Sequence, residues 1–444
     1  MMLDSDDYLL PQTMETLLPW LDEIEGMEKM DAKTYWKKWA DKCRKDLTTD
    51  IMPFWLKYGW DRKNGGVYTC VDRDGKLMDS TKSGWFQGRF AFTCSYAYNA
   101  VKKDKKYLAA AKSTLDFIEA HLFDKRGRAY FSLKADGTPL RMRRYVFSEC
   151  FAAIAMSEYA KALSGKLGRD ACPRASAGVS ERRPYQSSEA AKYAAKALAL
   201  FKRIKKFMAD PKMMPAKFEP SFEAQGHSLT MILINVALRL KDVCDDPILD
   251  EQIAESIRLL KDNFVHPEFK ALLETVGPNG EFIDTMIGRT INPGHAIETS
   301  WFLMEVAEKS GDKELLKLAL TILDWSLAWG WDKKYGGIIS FRDCKNFPPQ
   351  CYEQDMKFWW PQCETLIATQ YAWNLTKNSK WLNWHKKMRE WTYKRMPDKK
   401  FGEWYGYLHR DGTVAQPAKG NLFKGPFHIP RMMTKSIELA AAAI

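Results

Sequence analysis

"INPGHAIETSWFLMEVA", residues 291–307, sets a histidine directly after Asn-Pro-Gly and directly before a mostly apolar run. Asn292 is a good N-cap and Pro293 suits the first helical position, so Gly294 and His295 fall in the first turn of a helix. Five other stretches begin the same way, with a conspicuous polar group ahead of some fifteen mostly apolar residues. They are "GWFQGRFAFTCSYAY" with Arg89, "YVFSECFAAIAMSEYA" with Glu149, "QGHSLTMILINVAL" with His227, "WWPQCETLIATQYAW" with Glu364 and "FHIPRMMTKSIELAAAA" with His428. From Arg89 to His428 these groups recur at intervals of 60 to 78 residues.

A repeat of about 65 residues has room for two helices and their connections. Each helix alone exposes an apolar face, so neighbouring units must stack to bury it. The turns repeat as well. "WDRKNGGVYTCVDRDG" from Trp60, "FDKRGRAYFSLKADG" from Phe123, "WDKKYGGIISFRD" from Trp331 and "FGEWYGYLHRDG" from Phe401 each combine polar glycine turns with a few β-prone residues, the chemistry of a hairpin. The expected fold is all-α: six helical hairpins closed into an (α/α)6 barrel, with short β-hairpins in the connections. One domain spans 1–444. Residues 164–188, rich in Gly, Ser, Ala and Arg and without periodicity, read as an inserted surface loop.

In such a ring the inner helices run in one direction, and their polar N-terminal ends meet at one rim to form a pocket. His295 and His428 both stand at helix entrances there. The positive end of the helix dipole is expected to keep the His295 ring neutral near pH 7. Glu298, one turn on, is placed to hold that ring or a substrate hydroxyl. Two bases facing one another suit a carbon acid, one removing a proton and the other delivering a proton to the opposite face. Arg89 is a suitable partner for the enediolate oxygen formed beside a carbonyl. His227 is a third rim histidine, whereas His121, His266, His385 and His409 read as solvated. Trp85, Trp301, Trp359, Trp360 and Trp404 lie near the same starts, and flat rings backed by polar groups suit a sugar.

Composition narrows the classes. The chain has 444 residues, 45% hydrophobic and 28% charged, as expected of a globular protein. The net charge of +12 is spread in short clusters such as Lys102 to Lys106, which favours solvated helix faces over nucleic-acid binding. Nine cysteines are scattered without a C-x-x-C pair or a zinc spacing, so neither a disulfide framework nor a structural metal is expected, and a reducing cytoplasm fits. The acidic start "MMLDSDDYLL" lacks the pattern of a signal peptide, and no apolar run approaches the ~20 residues of a membrane span.

"NPGHAIETSWFL", "FWWPQCETLIA", "GEWYGYLHRDG" and "KGNLFKGPFHIPR", with "GGVYTC" and "WFQGRF", resemble the N-acylglucosamine 2-epimerase family, which includes the renin-binding proteins. The likeness runs in order from about Trp36 to the C-terminus. It implies an (α/α)6 barrel, commonly a homodimer, that interconverts N-acetylglucosamine and N-acetylmannosamine by moving the C2 proton of the open-chain sugar. It implies His295 and His428 as the acid/base pair, Arg89 on the carbonyl or enediolate oxygen, and Glu298 and Glu364 as polar supports of the pocket. With them, His227, Trp360, Gln362 and Trp85 are the candidate substrate-binding residues. No cofactor is required by this chemistry. ATP as an allosteric activator is implied by the resemblance alone, since the chain has no G-x-x-x-x-G-K-[ST] loop.

Gln362, in Trp359-Trp360-Pro361-Gln362-Cys363-Glu364, is similar instead to cellobiose 2-epimerases and aldose-ketose isomerases, while F-H-I-P-R is similar to the N-acylglucosamine branch. A disaccharide epimerase or an isomerase on the same histidines is therefore an alternative. A glycoside hydrolase would need a carboxylate pair, for which Glu298 and Glu364 are the candidates. A non-catalytic carbohydrate- or protein-binding member is the remaining one.

Overall fold

The computed structural model describes residues 31–164, 189–215, 217–218 and 221–443. The loop expected at 164–188 lies, beyond Ser164, outside these residues. Among the described residues, twelve long helices alternate between an inner and an outer ring. The inner ring is α2 (Gly84–Ala100), α4 (Phe147–Leu163), α6 (His227–Lys241), α8 (Pro293–Ser310), α10 (Trp359–Thr376) and α12 (His428–Ala443). Each packs on the next, and α12 closes onto α2. The outer ring is α3 (Lys105–Phe117), α5 (Glu189–Ala209), α7 (Pro247–Leu259), α9 (Lys313–Gly330), α11 (Ser379–Arg395) and α1 (Ala32–Asp46), the last packed on α12. The expected six-hairpin (α/α)6 barrel is the observed architecture.

Sequence explains the two rings. Outer helices carry a buried stripe and a charged face, as in α5, where Tyr193, Ala197, Leu200, Phe201 and Ile204 are buried among lysines. Inner helices are buried along most of their circumference, because they touch both neighbours and their outer partner. Capping differs too. Asp31, Asp104, Asp246, Asp312 and Asn378 each accept a backbone N–H at the start of an outer helix, whereas α2, α4, α6 and α10 have no side-chain cap. The free N–H groups of these inner helices leave the partial positive ends of their dipoles around one rim.

Connections set which rim matters. At one end the inner-to-outer links are short apart from 164–188 between α4 and α5, and residues 311–312 suffice between α8 and α9, with Gly311 left-handed at φ 74°. Arg239, Glu305 and Lys435, from three inner helices, form a charged network at that end, beside Glu158, which accepts from Asn99. At the other end the links are long and carry the β-turns predicted from sequence, here reduced to single bridges and two- to four-residue strands. Each turn is built on an aspartate: Asp61, Asp124, Asp332 and Asp398 accept backbone N–H groups within their own turns. Three of them also hold a buried lysine, Lys82 on Asp61 at 2.8 Å, Lys357 on Asp332 at 3.0 Å and Lys419 on Asp398 at 2.8 Å.

The fourth residue of an inner helix clamps its turn. Gln87 Oε1 accepts from Val67 N at 2.8 Å while its Nε2 donates to Val67 O and Ser83 O. Gln362 repeats this on Ile338 N, Ile338 O and Phe358 O. The expectation that Gln362 contacts substrate is thereby corrected, since its amide is consumed by the backbone. Gln362→Leu leaves these groups unsatisfied and is expected to cost about 3 kcal/mol of stability. A denaturant midpoint that falls while KM moves by less than about threefold checks that role. Two expectations of solvated histidines are also corrected: His385 is enclosed by Tyr35, Trp36 and Trp39, with Tyr35 Oη at 2.7 Å from its Nδ1, and His266 is buried against Glu268.

Candidate active site

The long connections and the inner-helix N-termini surround a cavity of about 760 Å³. Its walls carry Arg89 and Trp85 from α2, Phe151 from α4, His295 and Glu298 from α8, Trp360 from α10, and His428 and Arg431 from α12. Local sequence places both histidines. Asn292 Oδ1 caps α8 through the backbone N–H of His295 at 3.1 Å, fixing the ring in the first turn of the helix. Gly294 lets α8 approach α10: a Cβ there would lie 2.5 Å from the Trp360 ring. His428 is the first residue of α12. The Trp360 indole stands between them, its ring centroid 5.2 Å from His295 and 5.8 Å from His428. Gly294→Ala would push that indole into the cavity, and an approximately tenfold rise in KM is expected, read from initial rates.

Each imidazole is held through the same atom. His295 Nδ1 lies 2.9 Å from Glu274 Oε1, and His428 Nδ1 lies 2.8 Å from Glu364 Oε1. A carboxylate only accepts, so both Nδ1 atoms carry hydrogen and both Nε2 atoms are left for the cavity. Glu364 also accepts the Trp301 Nε1–H at 2.9 Å and pairs with Arg431 at 2.8 Å. Arg431 donates in addition to Glu298 at 2.5 Å. Glu298, Glu364 and His428 bring three donor atoms within 4.8 Å of one another, a spacing that suits a cation, and the Arg431 guanidinium supplies the positive charge there.

Electrostatics split the pair. Burial, reinforced by the Arg431 and Arg89 charges, holds the His428 pKa well below its ordinary value. Burial also acts to lower His295, but the Glu274 charge and hydrogen bond outweigh it, and the pKa is raised. The shift runs opposite to the one expected from the helix terminus: a full carboxylate charge in hydrogen-bond contact exceeds the half-charge of a helix end. Glu274 itself is held far below the carboxylate range, its burial overcome by the His295 charge. Arg89 is depressed to about 9 by burial and by Arg431, and its Nε has no hydrogen-bond partner among the described residues. Its guanidinium packs over Phe151 and Phe427 at 4.1 and 4.6 Å.

The polar starts do not all reach the cavity. Arg89, Trp85, Glu298, Trp360, His295 and His428 line it. Glu364 is fully buried behind His428 and Arg431 rather than on the wall. His227 is likewise fully buried, its Nε2 3.0 Å from Thr299 Oγ1 and its Nδ1 3.4 Å from Glu274, so its expected contact with substrate is corrected to a contact with the carboxylate that holds His295. Glu149 accepts from Arg128 and from Ala129 N, repeating the turn clamp. Of the tryptophans, Trp404 is buried against Tyr393. Sequence reasoning missed Glu274, which sits in an irregular connection without periodicity, and Arg431, whose spacing of three residues from His428 was the available signal.

With both carboxylates committed to Arg431, the pair a glycoside hydrolase would need is not free for water or a leaving group. What remains is proton transfer inside an aromatic, sugar-sized cavity, so fold and site define an α/α-barrel isomerase acting on a sugar. Among relatives, the N-acylglucosamine 2-epimerase of Bos taurus is 30% identical over 420 residues, 91% of each chain. The cellobiose 2-epimerase of Bacteroides fragilis is 22% identical over 396 residues, 88% of this chain and 96% of that one. The solved structure of the cellobiose 2-epimerase from Bacillus thermoamylovorans aligns with a TM-score of 0.75 at 22% identity, covering 90% of this chain and 99% of the other. The sequence model of the N-acylglucosamine 2-epimerase (GlcNAc 2-epimerase) family matches residues 66–424. The chain belongs to that family, and it is a sugar 2-epimerase.

Proposed function

We propose that the protein interconverts N-acetyl-D-glucosamine and N-acetyl-D-mannosamine through His295 and His428. The observation that carries this reading is the split pair: two imidazoles beside one indole, each oriented through Nδ1 by a carboxylate, one pushed toward the charged form and the other toward the neutral one. With the open-chain sugar between them, neutral His428 takes the C2 proton through Nε2. The electron pair passes to the carbonyl oxygen, and Arg89, a guanidinium without a partner at Nε, neutralises the resulting enediolate. Protonated His295 then returns a proton to the opposite face of C2. The reverse reaction exchanges the two roles, so no net proton is gained or lost.

Relatedness supports the N-acyl substrate, with 30% identity to the N-acylglucosamine enzyme against 22% to the cellobiose enzyme. The Gln362 signal that favoured a disaccharide falls away with its role as a turn clamp. The test is incubation of the protein with N-acetylmannosamine in D₂O. N-acetylglucosamine carrying deuterium at C2 is the expected product; a 2-ketose, or no change at C2, defeats the proposal. The family's homodimeric state and activation by ATP go with the same reading as proposals, checked by light scattering and by rates with and without the nucleotide.

A further inference from the structure

The floor of the cavity holds an amide that nothing among the described residues satisfies. Asn235 lies on the stripe of α6 formed by Ser228, Met231, Ile232 and Asn235, all of which line the cavity. It is 7% exposed, and its carboxamide has no hydrogen-bond partner among the described residues. The buried amides of Gln87, Gln362 and Gln370, by contrast, are bonded. Phe302, on the neighbouring inner helix, lines the same cavity, seven residues beyond His295 and therefore about 10 Å further along α8. Helical side chains lean toward the N-terminus of their helix, which tips the Asn235 amide up toward the histidines.

The polar atoms of Asn235 open onto the cavity rather than onto packed protein, so a ligand that displaces water there must offer both an acceptor and a donor or leave the carboxamide unpaired. Another amide offers both: a carbonyl for the Asn235 N–H and an N–H for its carbonyl. Around it Met231, Ile232 and Phe302 supply the apolar wall that a short acyl chain would fill. Ring order agrees. His295 on α8 and His428 on α12 flank Trp360 on α10, so a sugar between the two rings turns its other edge toward α2, α4 and α6, where Arg89, Phe151 and Asn235 stand.

Resting on the N-acylhexosamine reading above, we infer that Asn235 is the specificity-determining residue for the N-acyl group, with Ile232 and Phe302 limiting the acyl length. Asn235→Leu keeps the volume and removes both hydrogen bonds, leaving the substrate amide unpaired in a dry pocket. KM for N-acetylmannosamine is expected to rise about 30- to 100-fold, with kcat falling by less than about fivefold. Ile232→Ala opens the floor and should shift the kcat/KM ratio of N-butanoylmannosamine to N-acetylmannosamine at least about tenfold toward the longer chain. If Asn235→Leu fails to fold, as judged by its melting curve, the acyl-length ratio in Ile232→Ala decides. An unchanged KM in Asn235→Leu, a loss confined to kcat, or an unmoved acyl ratio overturns the inference while leaving the epimerase reading intact. A wild-type protein that epimerises mannose or cellobiose but not N-acetylmannosamine overturns the substrate reading itself, and the inference with it.

Discussion

His295→Gln and His428→Gln are each expected to lose about 10³-fold in interconversion of the two epimers, since each positioned acid/base group typically contributes 10²- to 10⁴-fold. The informative part is what each variant keeps. With one imidazole gone, the other still faces its own side of C2, so each variant should wash deuterium from D₂O into one epimer with retained configuration. The epimer retained by His295→Gln should be the one whose C2 hydrogen faces His428, and the reverse should hold for His428→Gln. If both variants exchange the same epimer, or if either still interconverts the pair at the parental rate, the two-histidine assignment fails.

The pH dependence follows from the same asymmetry. His428, its pKa lowered by burial and by Arg431, must be neutral, so activity is lost as pH falls through its pKa. His295, raised by Glu274 against the effect of burial, must be protonated, so activity is lost as pH rises through its pKa. The plateau of kcat/KM therefore straddles the ordinary histidine value, and both reaction directions share it because they use the same singly protonated pair. Glu274→Gln removes the largest raising charge and leaves burial, the smaller raising charge of Glu298 and the lowering charge of Lys217 in place. Its alkaline limb should move to lower pH while the acid limb stays, a shift that a ring merely misoriented by the substitution would not produce.

How much of this could be read from sequence depends on what kind of signal each residue left. The barrel was legible because its repeat is written twice, once in apolar helices and once in turns such as Asn64-Gly65-Gly66 and Tyr335-Gly336-Gly337, whose glycines adopt positive φ. His295 was legible because Asn292 and Pro293 fix where its helix starts. The direction each polar residue faces was not. A helix turns about 100° per residue, so Trp360 meets the cavity while Gln362, two positions on, faces back into the turn. Grouping all the polar starts into one pocket ignored that rotation, which is why His227, Glu364 and Glu149 were placed on a wall they stand behind. Glu274 was illegible for another reason: nothing local marks a carboxylate in an irregular connection as the partner of a histidine 21 residues away. Its effect reverses the direction of the pKa shift expected for His295 from the helix end alone.

Arg431→Met tests the other half of that charge pattern. The guanidinium lies between two carboxylates, Glu298 at 2.5 Å and Glu364 at 2.8 Å, all three groups nearly fully buried. Removing it leaves two like charges facing each other without water, and a buried pair broken from one side typically costs about 3–5 kcal/mol. The loss should be greatest at neutral pH. A carboxylate stranded in this way holds its proton more tightly when folded than when unfolded, so the deficit relative to the parent should shrink as the pH is lowered. Catalysis should change in the opposite sense at the acid end. Arg431 is a leading cause, after burial, of the low pKa of His428, so without it the acid limb of the rate profile moves up toward neutrality. Arg431→Lys separates the two effects: a point charge keeps His428 neutral but cannot span both carboxylates as the planar fork does, so the acid limb should stay near the parent while stability falls. An Arg431→Met protein as stable as the parent at pH 7, with an unmoved acid limb, would show that Glu298 and Glu364 find their neutralisation elsewhere and that His428 owes its neutrality to burial alone.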